Sequence, residues 1–461
     1  MSLLDELFDR YNCSKILDYK VLDSKLSLWP LVRYQVLSER LFDKYNTANP
    51  WDRKRKVNFR NSLSYVVRTL IRCPFFNRKS FFLFVSSSIS NIYFDGFYFN
   101  KRVEHFFKYL DKSYSLIEDS NNYFYYSPRK SEFVYSHDFI RIISNLFYRF
   151  IYISKLDKQT IMHFVDYLYV SSLVTSSADA DRYFKLVMKL VREYRIRFFL
   201  YHILLKKIGT RVIFLECASY GYQNVSLIRA CRKLSIRIIE FQHGFVSKNH
   251  PAYNFHRNFD KSYLDYLPDM FLSFGEFWTN RFNLPVQIIG IGNPHLEEMS
   301  QRLYSHNKEN LIVYASNGFE PELVKRHIFE LHYLLASTSF QLYFRPHPGE
   351  RHRLSGIYKD FKQLGVFVDV DDLYVTLKKA KYIISDFSTV LYEATAFDCC
   401  PLLLETIQSD NNIEQNEFLV LKSLNTILDY LSLDPNNLIC NSNFWKKDWS
   451  RNFKSFISSV D

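Results

Sequence analysis

Short apolar runs closed by a polar or small residue recur along the chain, and stretches with helical spacing lie between them. Phe81–Val85, Arg211–Leu215, Ile236–Ile239, Met270–Phe274 and Val286–Ile289 read as strands in the first part of the chain. Leu311–Ala315, Gln341–Phe344, Val366–Val368 and Tyr382–Ile384 read as strands in the second. These runs are continuous rather than alternating, which is the pattern of strands covered on both faces, so the sheets they form are parallel. Helical patterns fill the gaps, at Asn224–Leu234, Val390–Phe397 and Leu424–Leu433 among others. Strand and helix alternating in this way predict the α/β class.

Before the first strand the chain is helical in pattern, with Ile16–Phe42 and Val57–Ile71 as its main segments. Leu63, Val66, Val67, Leu70 and Ile71 form a stripe flanked by Arg60, Arg68 and Arg72. It is either a basic amphipathic helix on anionic lipid or an ordinary packed helix with a solvated face. Phe139–Tyr152 and Ile161–Arg197 read as long helices, and Phe444–Val460 as the last one. The 461 residues exceed what one core organises, and the strand–turn–helix rhythm restarts near Asn283. The expected division is a helical region over 1–78, an α/β domain over 79–283, a second over 284–440, and a helix over 441–461 packing back on the first domain.

Composition narrows the function. A net charge of +12 favours an anionic partner, but the basic residues are dispersed apart from Arg53–Lys56, and no nucleic-acid module is present. A nucleotide-activated substrate or the anionic inner face of a membrane fits better than nucleic acid. Only 11 Gly accompany 34 Tyr and 43 Phe, and Gly290 with Gly292 does not complete a Gly-x-Gly-x-x-Gly fingerprint, so a dinucleotide cradle is not expected. Seven Cys, with no Cys-x-x-Cys pair, read as reduced thiols. With no leader pattern and no apolar run of about 18–20 residues, a cytoplasmic protein is expected, peripheral at the membrane if attached.

The candidate chemistry lies at predicted strand ends. Gln341–Phe344 runs into Arg345-Pro346-His347-Pro348-Gly349, and Lys381–Ile384 into Ser385-Asp386-Phe387-Ser388-Thr389 ahead of a helix. A cation, an imidazole and a capped helix start at the carboxyl ends of parallel strands make an anion site, most simply for phosphate. Each motif alone is equally well a rigid turn or a cap. Ser86 and Ser87 end the first strand, Gly318 follows the Leu311–Ala315 strand, Glu216 ends the Arg211–Leu215 strand, and His243 follows Ile236–Ile239. Ser86, Ser87 and Gly318 are placed to handle substrate, and Glu216 and His243 point at the same crevice if the sheet is parallel. Asp369-Val370-Asp371 has the form of a metal-holding Asp-x-Asp, but Asp371 and Asp372 fit better as a helix cap, and no metal or other cofactor is expected.

Gln242-His243-Gly244 in the first half, with Arg345-Pro346-His347-Pro348 and Ser385-Asp386-Phe387-Ser388-Thr389…Glu393 in the second, resembles the GT-B glycosyltransferases of bacterial surface polysaccharides. The nearest in pattern are capsule Kdo transferases, His-Pro-motif sialyltransferases and the polyol-phosphate transferases of teichoic acid synthesis. The resemblance covers roughly residues 210–400. It implies two Rossmann-like domains facing a central cleft, an acceptor domain followed by a nucleotide-sugar domain. It implies transfer of a CMP-activated acidic sugar to a capsule, O-antigen or lipooligosaccharide acceptor, with inversion and without a metal. His347, Pro348, Ser388 and Thr389 would then hold the donor phosphate and Glu393 the ribose, with Arg345 added on grounds of charge. Glu216 ranks first as the base and His243 second, although the acidic motif those sialyltransferases use is matched only by Glu216-Cys-Ala-Ser-Tyr-Gly221. The alternatives are a CDP-polyol phosphotransferase, a sugar-nucleotide epimerase and a non-catalytic nucleotide- or glycan-binding assembly protein.

Overall fold

A computed structural model describes residues 3–21, 25–44, 59–303, 307–414, 416–433 and 443–460. The basic run Arg53–Lys56 and Cys440 lie outside them. The chain divides into two compact units, the first comprising Met1–Leu41, Arg53–Gly292 and Asp448–Asp461, the second Phe42–Asp52 and Asn293–Lys447.

The first unit is built on a seven-stranded sheet. Its strands are β1 (Phe82–Ser86), β2 (Tyr114–Glu118), β3 (Val134–Ser136), β4 (Val212–Leu215), β5 (Arg237–Phe241), β6 (Met270–Ser273) and β7 (Gln287–Gly290). Their order is β7-β6-β5-β4-β1-β2-β3, and every pairing is parallel. The runs are apolar throughout because helices cover both faces. On one, Leu83, Val85, Ile213 and Ile238 pack with Leu204, Leu205 and Ile208. On the other, Phe82, Phe84, Phe214 and Phe241 pack with Trp449, Phe453, Phe456 and Val460 of the Trp449–Val460 helix.

The second unit carries a six-stranded sheet. Its strands are β8 (Glu309–Ala315), β9 (Gln341–Arg345), β10 (Phe367–Val368), β11 (Ala380–Ser385), β12 (Cys400–Leu404) and β13 (Leu419–Leu421), ordered β10-β9-β8-β11-β12-β13 and again parallel throughout. Counted within each unit, both sheets run 3-2-1-4-5-6, and the first adds a seventh strand beyond. This is the Rossmann order. The α/β class with two Rossmann-like sheets is therefore present.

Several boundaries differ from the sequence reading for identifiable reasons. The division between units falls after Gly292 rather than near Asn283, because β7 pairs in register with β6 and so completes the first sheet. The region before residue 79 is not an appendage. Arg33 donates to the carbonyls of Pro251 and Asn254, and Ser27 N donates to Tyr266 Oη at 2.9 Å. Gly221, at φ 68°, lies so close to this region that a Cβ would collide with the Pro30 carbonyl. Ile161–Arg197 is not one helix but parts of two, Lys155–Val170 and Ser177–Ile208. Ser172 turns left-handed, and Ser176 caps the second helix by accepting from Asp179 N at 3.0 Å. β12 was hidden by Pro401, which is tolerated because pairing with β13 begins only at Leu402.

Candidate functional site

In a sheet of this order, the strands on either side of the first β1–β4-type neighbour pair diverge, and the crevice outside their carboxyl ends is where ligands bind. In the first unit that pair is β1 and β4, whose ends carry Ser86-Ser87 and Glu216-Cys217. The Glu216 carboxylate bridges them, accepting from Ser86 Oγ at 2.6 Å and from Ser87 N at 2.9 Å. Arg102 closes an ion pair on its other oxygen. Arg102 reaches it because Asn100, fully buried after the Asn91–Phe94/Phe97–Asn100 hairpin, accepts from Arg102 N at 3.1 Å and donates to Glu118 at 2.8 Å. A cavity of about 230 Å³ opens beside this bridge, lined by Ser86, Ser87, Glu216, Cys217, Arg141 and Asn224 among others.

His243 stands after the next strand, half-buried, and belongs to a second set. Its Nδ1 lies 3.4 Å from Tyr253 Oη, its Nε2 3.4 Å from Tyr220 Oη, and Cys217 Sγ is 3.6 Å from Nε2. Tyr253 donates to Glu240 Oε1 at 2.9 Å, and Glu240 also accepts from the backbone and hydroxyl of Ser219. Glu240 sits in the middle of β5 with no exposure, and burial pushes its carboxyl up to about 7. Burial also holds His243 well below the ordinary imidazole value, with the Arg102 charge and His250 acting in the same direction. His243 is thus neutral at pH 7. With Tyr253 giving its proton to Glu240 Oε1, the phenol oxygen accepts from Nδ1–H, which leaves Nε2 as the basic nitrogen. Cys217, left-handed at φ 60°, is pushed up to about 12 by burial and stays a thiol.

In the second unit the equivalent neighbours are β8 and β11. The turn after β8 and the turn after β11 are clamped together, Asn317 Nδ2 donating to both Asp386 oxygens at 3.0 Å and Ser385 Oγ to the Ala315 carbonyl at 2.8 Å. Burial, aided by Glu320, pushes Asp386 up to about 6, against the bonds it accepts from its neighbours, Thr406 included. Gly318 packs against His347. At φ 83°, a Cβ there would stand 3.1 Å from the His347 Cβ. His347 opens the turn after β9, its Nδ1 accepting from Gly349 N at 3.1 Å. That bond places the neutral ring's proton on Nε2. Beneath, Glu350 is fully buried and braces the turn through His347 N at 2.9 Å and Tyr358 Oη at 2.8 Å. Pro348 begins the 3₁₀ turn Pro348–Ser355.

The sequence-predicted donor residues are not all gathered here. His347 and Gly318 touch, and Ser388 caps the Thr389–Ala394 helix two residues beyond Asp386, its Oγ accepting from Val390 N at 3.2 Å. Arg345 instead pairs with Asp369 Oδ2 at 2.7 Å and donates to the Asp371 carbonyl at 2.9 Å. Asp369, also bound by Thr376 Oγ1, is therefore a buried structural anchor, and Asp372 caps the Leu373–Lys379 helix through Tyr374 N. Glu393 is engaged with the buried Tyr374 hydroxyl. Among the described residues, no group of three or more His, Cys, Asp or Glu is arranged to hold a metal ion. Nor is any helix among them long and apolar enough to cross a membrane.

Sequence reasoning missed Glu240, Tyr253, Arg102 and Asn317 as members of these sets. Glu240 had a signal, an acid inside Ile238-Ile239-Glu240-Phe241 just before Gln242-His243. Arg102 had none, since only the fold brings the end of a hairpin to β4.

No protein-family model matches the chain, and no curated protein matches its sequence. Solved structures to which it is similar include the UDP-GlcNAc 2-epimerase of Methanocaldococcus jannaschii, at 11% identity and TM-score 0.43, over 82% of this chain and 99% of that one. The UDP-GlcNAc 2-epimerase of Neisseria meningitidis bound to UDP-GlcNAc has 10% identity and TM-score 0.45, over 82% and 98%. A UDP-forming trehalose-phosphate synthase of Burkholderia xenovorans has 9% identity and TM-score 0.39, over 82% and 96%. Likeness at this level carries no argument about activity, and the fold assignment rests on the two sheets themselves.

Proposed function

We propose that the protein is a glycosyltransferase that moves a sugar from a nucleotide-activated donor to a glycan or glycolipid hydroxyl. The observation that carries this is the repeated Rossmann order with different chemistry at the strand ends of each unit. Neutral imidazole backed by Tyr253 and Glu240 marks the first unit, and a donor-oriented His347 beside Gly318 and the Asn317–Asp386 clamp marks the second.

On this reading the second unit holds the nucleotide. His347 Nε2–H donates to the leaving phosphate, joined by Ser388 and Thr389 at their turn, and stabilises the charge that develops as the glycosidic bond breaks. His243 Nε2 takes the proton of the acceptor hydroxyl as that oxygen attacks the anomeric carbon, and Glu240, through Tyr253, steadies the imidazolium. His243 is preferred to Glu216 as base, because an ion pair and two donors already occupy the Glu216 carboxylate. Glu216 instead holds Arg102 and the Ser86-Ser87 turn against the cavity. A single displacement inverts the anomeric centre.

Arg345 is committed to Asp369, and Arg353 to the Gly318 carbonyl and Glu350. The motif resemblance favours a CMP-activated acidic sugar, handled without a metal. Calorimetry with CMP, CDP and UDP, with and without EDTA, tests it. CMP should bind most tightly whether or not EDTA is present, and His347→Ala should weaken it about tenfold. His243→Gln should leave CMP affinity unchanged and lower turnover with a CMP-sugar about 10²–10⁴-fold. Preference for CDP would point to polyol-phosphate transfer and preference for UDP to a hexose donor or an epimerase. Absence of any nucleotide binding would remove the reading.

A further inference from the structure

The helix Phe59–Ile71 is amphipathic in the wrong sense for a soluble surface. Its inward side is Tyr65 and Thr69, the latter bonded to Tyr125 Oη at 2.8 Å and the former stacked on the Tyr125 ring. Its outward side is Leu63, Val66, Val67, Leu70 and Ile71, with Leu63 66% and Ile71 74% exposed. At 100° per residue these five positions share one arc opposite Tyr65 and Thr69. The following turn adds Phe76, 77% exposed.

The neighbouring helix Asp138–Phe147, joined to the first by Arg141 donating to Tyr65 Oη at 3.3 Å, ends in exposed Leu146 and Phe147, and Phe150 beyond it is 81% exposed. Water is a poor solvent for so much apolar surface, and isolated exposed leucines do not account for a whole helix face.

Charge identifies what covers it. Not one Asp or Glu occurs from Phe59 to Phe94 or from Phe139 to Leu156, while exposed Arg68 and Arg149 lie within these stretches. Apolar side chains on stretches of sequence whose only charges are cations match the interface of an anionic lipid bilayer, where the side chains enter the acyl boundary and the guanidinium groups meet phosphates. A self-associating face has no need to exclude acids. We infer that the first unit docks on anionic membrane through the outward face of the Phe59–Ile71 helix and the Leu146–Phe150 segment. The inference stands whether or not the protein is a glycosyltransferase.

Vesicle flotation of the full chain tests it, with phosphatidylcholine alone and with phosphatidylcholine mixed with phosphatidylglycerol. The wild type should float with the anionic vesicles only. Leu63→Ser/Leu70→Ser/Ile71→Ser should reduce binding at least about tenfold with an unchanged melting temperature, since these side chains are exposed. Arg68→Gln should weaken binding about fivefold, at about 1 kcal/mol per basic residue. No flotation of the wild type, or equal flotation of the triple variant, would overturn the inference. So would a wild-type dimer that the triple variant dissociates, because a second copy would then cover the face.

Discussion

The two sheets share one strand order and place a buried carboxylate at the same topological point, yet they treat it in opposite ways. Glu216 in the first unit is paired with Arg102 and bound by two further donors. Asp386 in the second unit is held by the neutral amide of Asn317 and by Thr406, and burial raises it to about 6. The topology thus determines where polar groups converge, and the partner determines whether the carboxylate meets a cation or only neutral donors. A fixed ion pair suits a scaffold for the neighbouring cavity. A carboxyl pushed up to about 6 gives up its charge at little cost.

Breaking the first arrangement should have the largest effect. Arg102→Met leaves Glu216 without its cation and should destabilise the first unit by about 3 kcal/mol, the low end for a broken buried pair because Arg102 is partly exposed. Denaturant unfolding measures it, and adding Glu216→Gln should restore part of the loss. If Arg102→Met unfolds like the wild type, the pair is not what holds the two strand ends.

The second arrangement is tested by pH. Because the folded carboxyl of Asp386 titrates near 6 and the unfolded one near 3.8, the folded state binds the extra proton between those values. Stability therefore falls as pH rises from about 4 to 6 and stays low above, by about 2–3 kcal/mol for this group. Asp386→Asn should flatten that part of the profile and gain on the wild type at pH 7. By the same sign, CMP binding to the wild type should tighten as pH falls through 6, and the variant should lose that dependence. A profile unchanged by the substitution would mean that Asp386 is not the titrating group. The smallest effect belongs to Gly318→Ala, which strains a left-handed residue and presses on His347. It should cost about 1 kcal/mol and weaken CMP several-fold, as calorimetry would register.

Much of this fold was legible because strand runs covered on both faces leave little ambiguity. Phe82–Ser86, Val212–Leu215 and Gln341–Arg345 each fall within a residue of the apolar run that announces them. The hidden elements were those whose local signals conflicted with their packing, such as β12 behind Pro401 and the Ser172–Ser176 break inside a helical pattern. The candidate site was legible residue by residue but not pair by pair. Position at a strand end pointed to Glu216, His243 and His347. That Arg345 turns to Asp369, or that Glu240 stands behind His243 through Tyr253, depends on registers between strands distant in sequence.

The Trp449–Val460 helix has a consequence for synthesis. Its aromatic side closes the core under Phe82, Phe84 and Phe214, so the first sheet is finished by residues translated after the entire second unit. A ribosome emitting this chain carries an uncovered aromatic layer for most of the message. The usual order, in which the amino-terminal body folds while the rest is being made, is not open to it. The nascent protein thus depends on shielding of that layer until the Trp449–Val460 helix has been made, and loss of that helix would strand the first unit rather than trim it.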